Sequence, residues 1–182
     1  MTNLVAREMT LEEAGIIIDY FHGASHDFLK SLGVSPAKLP YRDDWEAFYR
    51  AEYQRPIHKR RAILVLWQAD GDPIGFSTAD KIIFGQEAYM HLHILYPEQR
   101  RSGYGAYLVS ETAKIYFSML NIQQLYCEPY ALNVAPNRTL QKAGFKYIKT
   151  YETTPGPLNF PQPVNRWLLQ RDASGSDPDR TD

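Results

Sequence analysis

Along the chain the spacing of apolar positions changes near Arg61, from a helical period to a strand-like one. Before that point Leu4 to Met9 reads as a short first strand. Thr10 with Glu13 forms a capping-box pattern, so the spacing predicts a helix from about Leu11 through Ile16, Ile17, Ile18, Tyr20 and Phe21, ending near Gly23. The stretch His26 to Pro40 carries Phe28, Leu29, Leu32 and Val34, interrupted by Gly33, Pro36 and Pro40, which fits a short helix and a loop. Asp43 or Asp44 is expected to cap a further helix through Trp45, Phe48, Tyr49 and Tyr53, ended by Pro56.

After Arg61 the reading is of strands. Arg61 to Gln68 is a buried strand, Asp70-Gly71-Asp72 a hairpin turn, and Pro73 to Ala79 the returning strand, extended by Lys81 to Phe84. Gly85-Gln86 turns the chain again, and Glu87 to Leu95 comes back as a third strand. A long helix over Gly103 to Leu120 leads to a strand at Gln124 to Pro129. A helical crossover makes that strand parallel to the one ending at Leu95. Asn133 to Ala143 is a second short helix, closed by Gly144-Phe145. Tyr147 to Thr153 and Asn165 to Arg171 form a closing pair around a Pro-rich loop, Pro155 to Pro163. The expected architecture is a single α/β (α+β) domain over residues 1–171, with a mixed, mostly antiparallel sheet of about six to seven strands flanked by helices. Residues 172–182 are polar, rich in Gly, Ser and Asp, and predicted to form a disordered tail.

Composition narrows the function more than the fold. A chain of 182 residues suits one domain. Its formal net charge of −1 points away from nucleic acid and from anionic membranes. The one cysteine, Cys127, excludes an intramolecular disulfide, and no Cys/His spacing reads as a metal site. The first residues lack a signal-peptide core and no apolar run reaches the length of a membrane span, so a cytoplasmic location is expected.

The chemistry concentrates in the turn between the third strand and the long helix. Arg100-Arg101-Ser102-Gly103-Tyr104-Gly105-Ala106 is basic, carries two glycines, and opens directly into the helix. Backbone N–H groups at such a helix start point at an anion, glycines permit close approach, and guanidinium groups suit phosphate oxygens. A diphosphate is the expected ligand. Neither the three-glycine dinucleotide fingerprint nor a P-loop Gly-Lys-Ser/Thr is present. The turn resembles the acetyl-CoA-binding motif of the GNAT superfamily of N-acetyltransferases, Arg/Gln-x-x-Gly-x-Gly/Ala, with Pro97 ahead of it. The segment from Asn133 through Leu140-Gln141-Lys142-Ala143-Gly144-Phe145 is similar to a second family segment, and the element order from Leu4 to Arg171 is the family's order.

The resemblance implies a sheet whose parallel strand pair splays apart at the cofactor. The backbone of Ile94, Leu95 and Tyr96 would hold pantetheine as an added strand. The segment Arg100, Arg101, Ser102, Gly103, Tyr104, Gly105 and Ala106 would hold the pyrophosphate, and Asn133 would contact the pantetheine arm. Acetyl-CoA is the implied donor, no metal is expected, and the implied partner is a small-molecule amine, with a homodimer left open. Direct attack of an amine on the thioester needs a base for the amine proton and an acid for the leaving thiolate. His91 and His93 lie two apart, on one face of the strand, together with Tyr89, and histidine titrates nearest neutrality. The arylalkylamine branch of the family carries a His-Leu-His in this strand, two residues out of step with His91-Leu92-His93. Glu128 is the candidate for the substrate ammonium or its proton. Many family members have a tyrosine acid where this chain has Leu140; Tyr130, or less favourably Tyr126 or Tyr151, would replace it, or a water. Phe21, His22, His26, Asp27, Tyr41, Trp45 and Phe160 fall in segments that commonly form the family's acceptor pocket.

Three other readings compete. A protein N-terminus or lysine in place of the small amine keeps the enzyme class. A non-catalytic acyl-CoA-binding module is motivated by Leu140. A nucleotide-phosphate binder unrelated to CoA rests on the glycine turn alone. The basic run His58-Lys59-Arg60-Arg61 reads as a solvated loop, with an adenosine 3′-phosphate contact as its alternative.

Overall fold

The computed structural model describes residues 2–96 and 103–172. Arg100, Arg101 and Ser102 of the expected diphosphate turn, and the expected tail from residue 173 onward, lie outside the described residues. The order is β1 (Leu4–Glu8), α1 (Gly15–His22), α2 (His26–Ser31), α3 (Arg42–Tyr53), β2 (Ile63–Ala69), β3 (Asp72–Ile83), β4 (Glu87–Ile94), α4 (Tyr104–Leu120), β5 (Gln124–Cys127), α5 (Val134–Lys142), β6 (Lys146–Thr153) and β7 (Gln162–Gln170). The strands form one seven-stranded sheet in the order β1-β2-β3-β4-β5-β7-β6. Every neighbouring pair is antiparallel except β4 and β5, which the α4 crossover makes parallel.

Period-two alternation divides the sheet between two cores. Ile63, Val65, Trp67, Met90 and Leu125 face α4, whose buried stripe is Leu108, Val109, Thr112, Ala113, Tyr116 and Leu120. Leu64, Leu66 and Phe76 face the other way, onto Ile17, Ile18, Phe21 and Trp45 of α1 and α3. Two buried polar contacts fix α4 against the sheet. Trp67 Nε1 donates to Thr112 Oγ1 at 2.7 Å, and the Tyr116 hydroxyl donates to Ser77 Oγ at 3.0 Å. Ser77 Oγ in turn donates to the His91 carbonyl at 2.6 Å, so the helix that begins at the glycine turn is tied to the strand that leads into it.

Three local expectations are refined. The capping box forms, with Glu13 N–H on Thr10 Oγ1 at 3.3 Å and Thr10 N–H on Glu13 Oε2 at 2.9 Å, but the first turn is 3-10 and α1 proper begins at Gly15. Tyr41, not Asp43 or Asp44, stands at the N-cap of α3. Both aspartates lie in its first turn, where the helix dipole favours them. The closing strand starts at Gln162, earlier than Asn165: Gln162 pairs with Thr153 and Pro163 with Glu152, and the missing N–H of Pro163 is tolerated near the strand start.

Candidate active site

The parallel pair β4–β5 runs from Glu87 opposite Gln124 to Met90 opposite Cys127. β4 continues to Ile94 against β3, while the chain after Cys127 bends off through Glu128 and Pro129 to a bridge between Tyr130 and Val164. From His91 onward, β4 therefore has no paired strand on its β5 side among the described residues. Ile94, Leu95 and Tyr96 lie on this stretch; Leu95 N–H is held by Ile74 O at 3.0 Å and Tyr96 is 48% exposed. Gly103 is the N-cap of α4 at φ +84°, a left-handed conformation that glycine adopts without strain. Tyr104, Gly105 and Ala106 form the first turn of α4. An added Cβ on Gly105 would meet Thr139 of α5 at 3.3 Å, so this glycine lets α5 approach α4. Asn133 is the N-cap residue of α5, in extended conformation on the wall of the central cavity. Asn137 fastens that helix start: its Nδ2 donates to Asn133 O at 2.7 Å, while its Oδ1 accepts from Asn165 and Trp167.

A cavity of about 460 Å³ extends from the β4–β5 opening across the β3–β4 face to α1, α3 and the Pro155–Asn159 loop. His91 and His93 both line it, as their two-residue spacing requires, but their surroundings differ. The His93 ring stacks on Phe76 at 5.0 Å and meets Phe21 edge-on at 5.1 Å. His91 instead has its Nε2 3.1 Å from Asp80 Oδ1, and both atoms are shielded from solvent. Burial is the largest single influence and disfavours the imidazolium, but the charge of Asp80 and its direct contact with the ring together outweigh it and hold His91 above its ordinary pKa. Burial likewise opposes ionisation of Asp80, and the charge and close contact of His91 together with the charge of Lys81 prevail, holding its carboxyl below the usual range. Asp80 was not among the candidates from sequence. The long extension of β3 carries it onto the face shared by Thr78 and His91, and only the strand register reveals that.

Glu128 lines the cavity with its side chain 3% exposed, and it is not a free carboxylate. Its Oε1 accepts from Arg166 Nε at 2.6 Å and from the Tyr151 hydroxyl. Arg166 also donates to the Tyr89 and Tyr151 hydroxyls at 3.1 and 2.7 Å and packs on the rings of Tyr89, Tyr126 and Tyr151. Burial, then Glu128, push the Tyr151 hydroxyl up to about 12. Of the three tyrosines weighed as acids, Tyr130 alone lines the cavity; Tyr126 bonds Gln124 and Tyr151 belongs to the Arg166 cluster. Leu140 is fully buried in the α4-side core. Cys127 is buried, which raises its thiol far above the ordinary value and leaves it unreactive.

Among the expected acceptor-side residues, Phe21 and Trp45 line the cavity and Phe160 packs on Tyr130, whereas His22, His26, Asp27 and Tyr41 are exposed and outside the lining. The basic run is used internally: Arg60 pairs with Glu8 at 2.8 Å, and Arg61 pairs with the buried Glu52 at 2.7 Å. Among the described residues no cluster of His, Cys, Asp or Glu is arranged to hold a metal ion, and no helix is long and apolar enough to cross a membrane.

Solved structures share this architecture at low sequence identity. An aminoglycoside acetyltransferase, AAC(6')-Ib, in complex with coenzyme A superposes with a TM-score of 0.67 at 16% identity, covering 93% of this chain and 95% of that one. Spermidine N-acetyltransferase from Vibrio cholerae, with CoA and spermine, gives 0.72 at 18%, covering 92% and 95%. RimL, a ribosomal L7/L12 alpha-N-protein acetyltransferase with CoA, gives 0.72 at 14%, covering 93% and 95%. No curated protein sequence matches the chain. A model of the acetyltransferase (GNAT) family matches residues 22–145, which span both halves of the β4–β5 opening, α4 and most of the cavity wall. With that match over more than half its length, the chain belongs to the acetyltransferase (GNAT) family.

Proposed function

We propose that this chain transfers the acetyl group of acetyl-CoA to a primary amine of a small molecule, by direct attack within a ternary complex. The observation that carries the reading is the juxtaposition of an unpaired β4 edge with the His91–Asp80 pair on the adjoining cavity face. A pantetheine arm laid along Ile94 to Tyr96 would bring its thioester to the end of β4 where His91 stands. The start of α4, with Gly103, Tyr104, Gly105 and Ala106, offers N–H groups and the positive end of a helix dipole to the diphosphate. Arg100, Arg101 and Ser102 complete that site in the proposal, and Asn133 takes the far side of the arm.

In the reaction the amine lone pair forms the new C–N bond to the thioester carbonyl and the C–S bond breaks. His91, once neutral, takes the ammonium proton directly or through a water, and Asp80 stabilises the imidazolium that results. His93 contributes shape: its ring is one wall of an aromatic box with Phe76 and Phe21. Glu128, whose charge Arg166 already balances, fixes the opposite wall. The departing thiolate takes a proton from Tyr130 or from water. Calorimetric titration with acetyl-CoA, with ADP and NAD as controls, tests the donor half. Selective micromolar binding is expected; binding to ADP as tight as to acetyl-CoA overturns it.

A further inference from the structure

The walls of the cavity also specify what kind of amine it takes. Aromatic and aliphatic side chains supply most of the surface away from the β4–β5 opening, among them Phe21, Trp45, Phe48, Phe76, Val34 and Leu158. The ionic groups in the wall are nearly all satisfied from within the protein. Asp80 faces His91, Glu128 is held by Arg166 and Tyr151, Arg61 is held by Glu52, and Lys38 Nζ donates to Asn159 O at 2.7 Å. Asp44 is the one carboxylate of the wall with no ion-pair partner among the described residues, and it is solvent-exposed at the rim.

We infer that the acceptor is a monoamine with an apolar body, whose reacting nitrogen is its only cationic group. A second or third ammonium carried into this cavity would find Asp80 and Glu128 already paired within the protein and only the exposed Asp44 left to meet it, and a polyhydroxylated body would lay many of its hydroxyls against apolar side chains. Each polar group left dry and unpaired weakens binding on the order of tenfold or more. Each methylene moved from water onto such a wall strengthens it about fourfold. A volume near 460 Å³ suits a body of one or two rings, or a short alkyl chain.

The inference rests on the acetyl-transfer reading for which nitrogen reacts, but its test is made on binding and turnover separately. The full-length protein, saturated with CoA as the unreactive donor, is titrated calorimetrically with the series from ethylamine to hexylamine, with benzylamine, and with spermidine, kanamycin and a hexapeptide bearing a free N-terminus. The same amines are then assayed with acetyl-CoA for thiol release. Affinity should rise about fourfold per methylene until the cavity is filled, and hexylamine and benzylamine should exceed spermidine and kanamycin at least tenfold. Phe48→Ala, at a half-buried position of α3, should weaken hexylamine severalfold. A flat alkyl series, an unchanged Phe48→Ala, or preference for a polycation or the peptide overturns the inference even when acetyl transfer is observed. Tight apolar binding without thiol release upholds the inference and overturns the transfer reading instead.

Discussion

Asp80 Oδ1 and His91 Nε2 lie 3.1 Å apart although the two residues are not opposite each other in the ladder. His91 pairs with Thr78 and Asp80 pairs with Tyr89, so the contact is a diagonal one across the β3–β4 ladder. The consequence is a buried histidine whose charged form is favoured chiefly by one neighbouring carboxylate. Burial and Lys81 act against the imidazolium; Asp80, with a smaller contribution from Glu128, acts for it and wins.

This sets a pH dependence. His91 works as a base only when neutral, so kcat/KM should fall as pH drops through its raised pKa, an acidic limb above that of an ordinary histidine. Asp80→Asn removes the charge that raises the pKa and leaves burial and Lys81, so the limb should move to lower pH. His91→Ala should reduce kcat by about 10² to 10⁴ with little change in acetyl-CoA affinity. A pH series of kcat/KM on the wild type and both variants checks this; an Asp80→Asn limb that does not move shows that the pair is not linked to catalysis.

The same pair contributes to stability within a window. A raised His91 pKa stabilises the fold below the unfolded value, and the contribution is lost as pH rises through the folded one. The lowered Asp80 pKa stabilises above its unfolded value and is lost as pH falls through the folded one. The difference in stability between wild type and Asp80→Asn should therefore be largest between those limits and shrink on either side, as urea unfolding across pH would measure.

Glu128 with its side chain 3% exposed depends on Arg166. Arg166→Met leaves that carboxylate without its cation and should cost about 3 kcal/mol. Glu128→Gln combined with Arg166→Met should cost clearly less than the sum of the single changes, because the stranded charge is gone. Urea unfolding of the four proteins of the cycle measures the coupling; additive losses would show that the two groups act independently.

Gly75 occupies a close backbone approach. An added Cβ would lie 2.6 Å from the His93 carbonyl and 2.9 Å from the Trp67 ring. Gly75→Ala must push β4 away from β3 or displace a fully buried indole, and should lower stability by roughly 2 kcal/mol. Gly103→Ala is strained for a different reason, its φ of +84°, and should cost about 1 kcal/mol, with no steric clash among the described residues. Denaturant midpoints separate the two: a neutral Gly75→Ala would contradict the close-packed β3–β4 register on which the site is built.

Much of the scaffold was readable from local signals, and the site less so. The Asp70-Gly71 hairpin, the apolar stripe of α4 and the crossover to β5 are written in turn chemistry and period, and all form where expected. The spacing of His91 and His93 correctly put both on one face. What separates them is tertiary: Phe76 and Phe21 around one ring, Asp80 beside the other. The Arg166–Glu128–Tyr151 cluster joins residues 15 and 38 positions apart, a proximity that appears only when β7 inserts between β5 and β6. No one-dimensional pattern carries that insertion.

Amine-dependent release of CoA, measured together with the mass of the acetylated product, tests the central claim most directly. Purified protein with acetyl-CoA and hexylamine should release one thiol for each acetyl group found on the amine, and should carry no acetyl group itself when the amine is omitted. His91→Ala should abolish most of that release while still binding acetyl-CoA. Thiol release without amine, a stable acetyl-protein, or full activity in His91→Ala would contradict direct transfer at the His91 face.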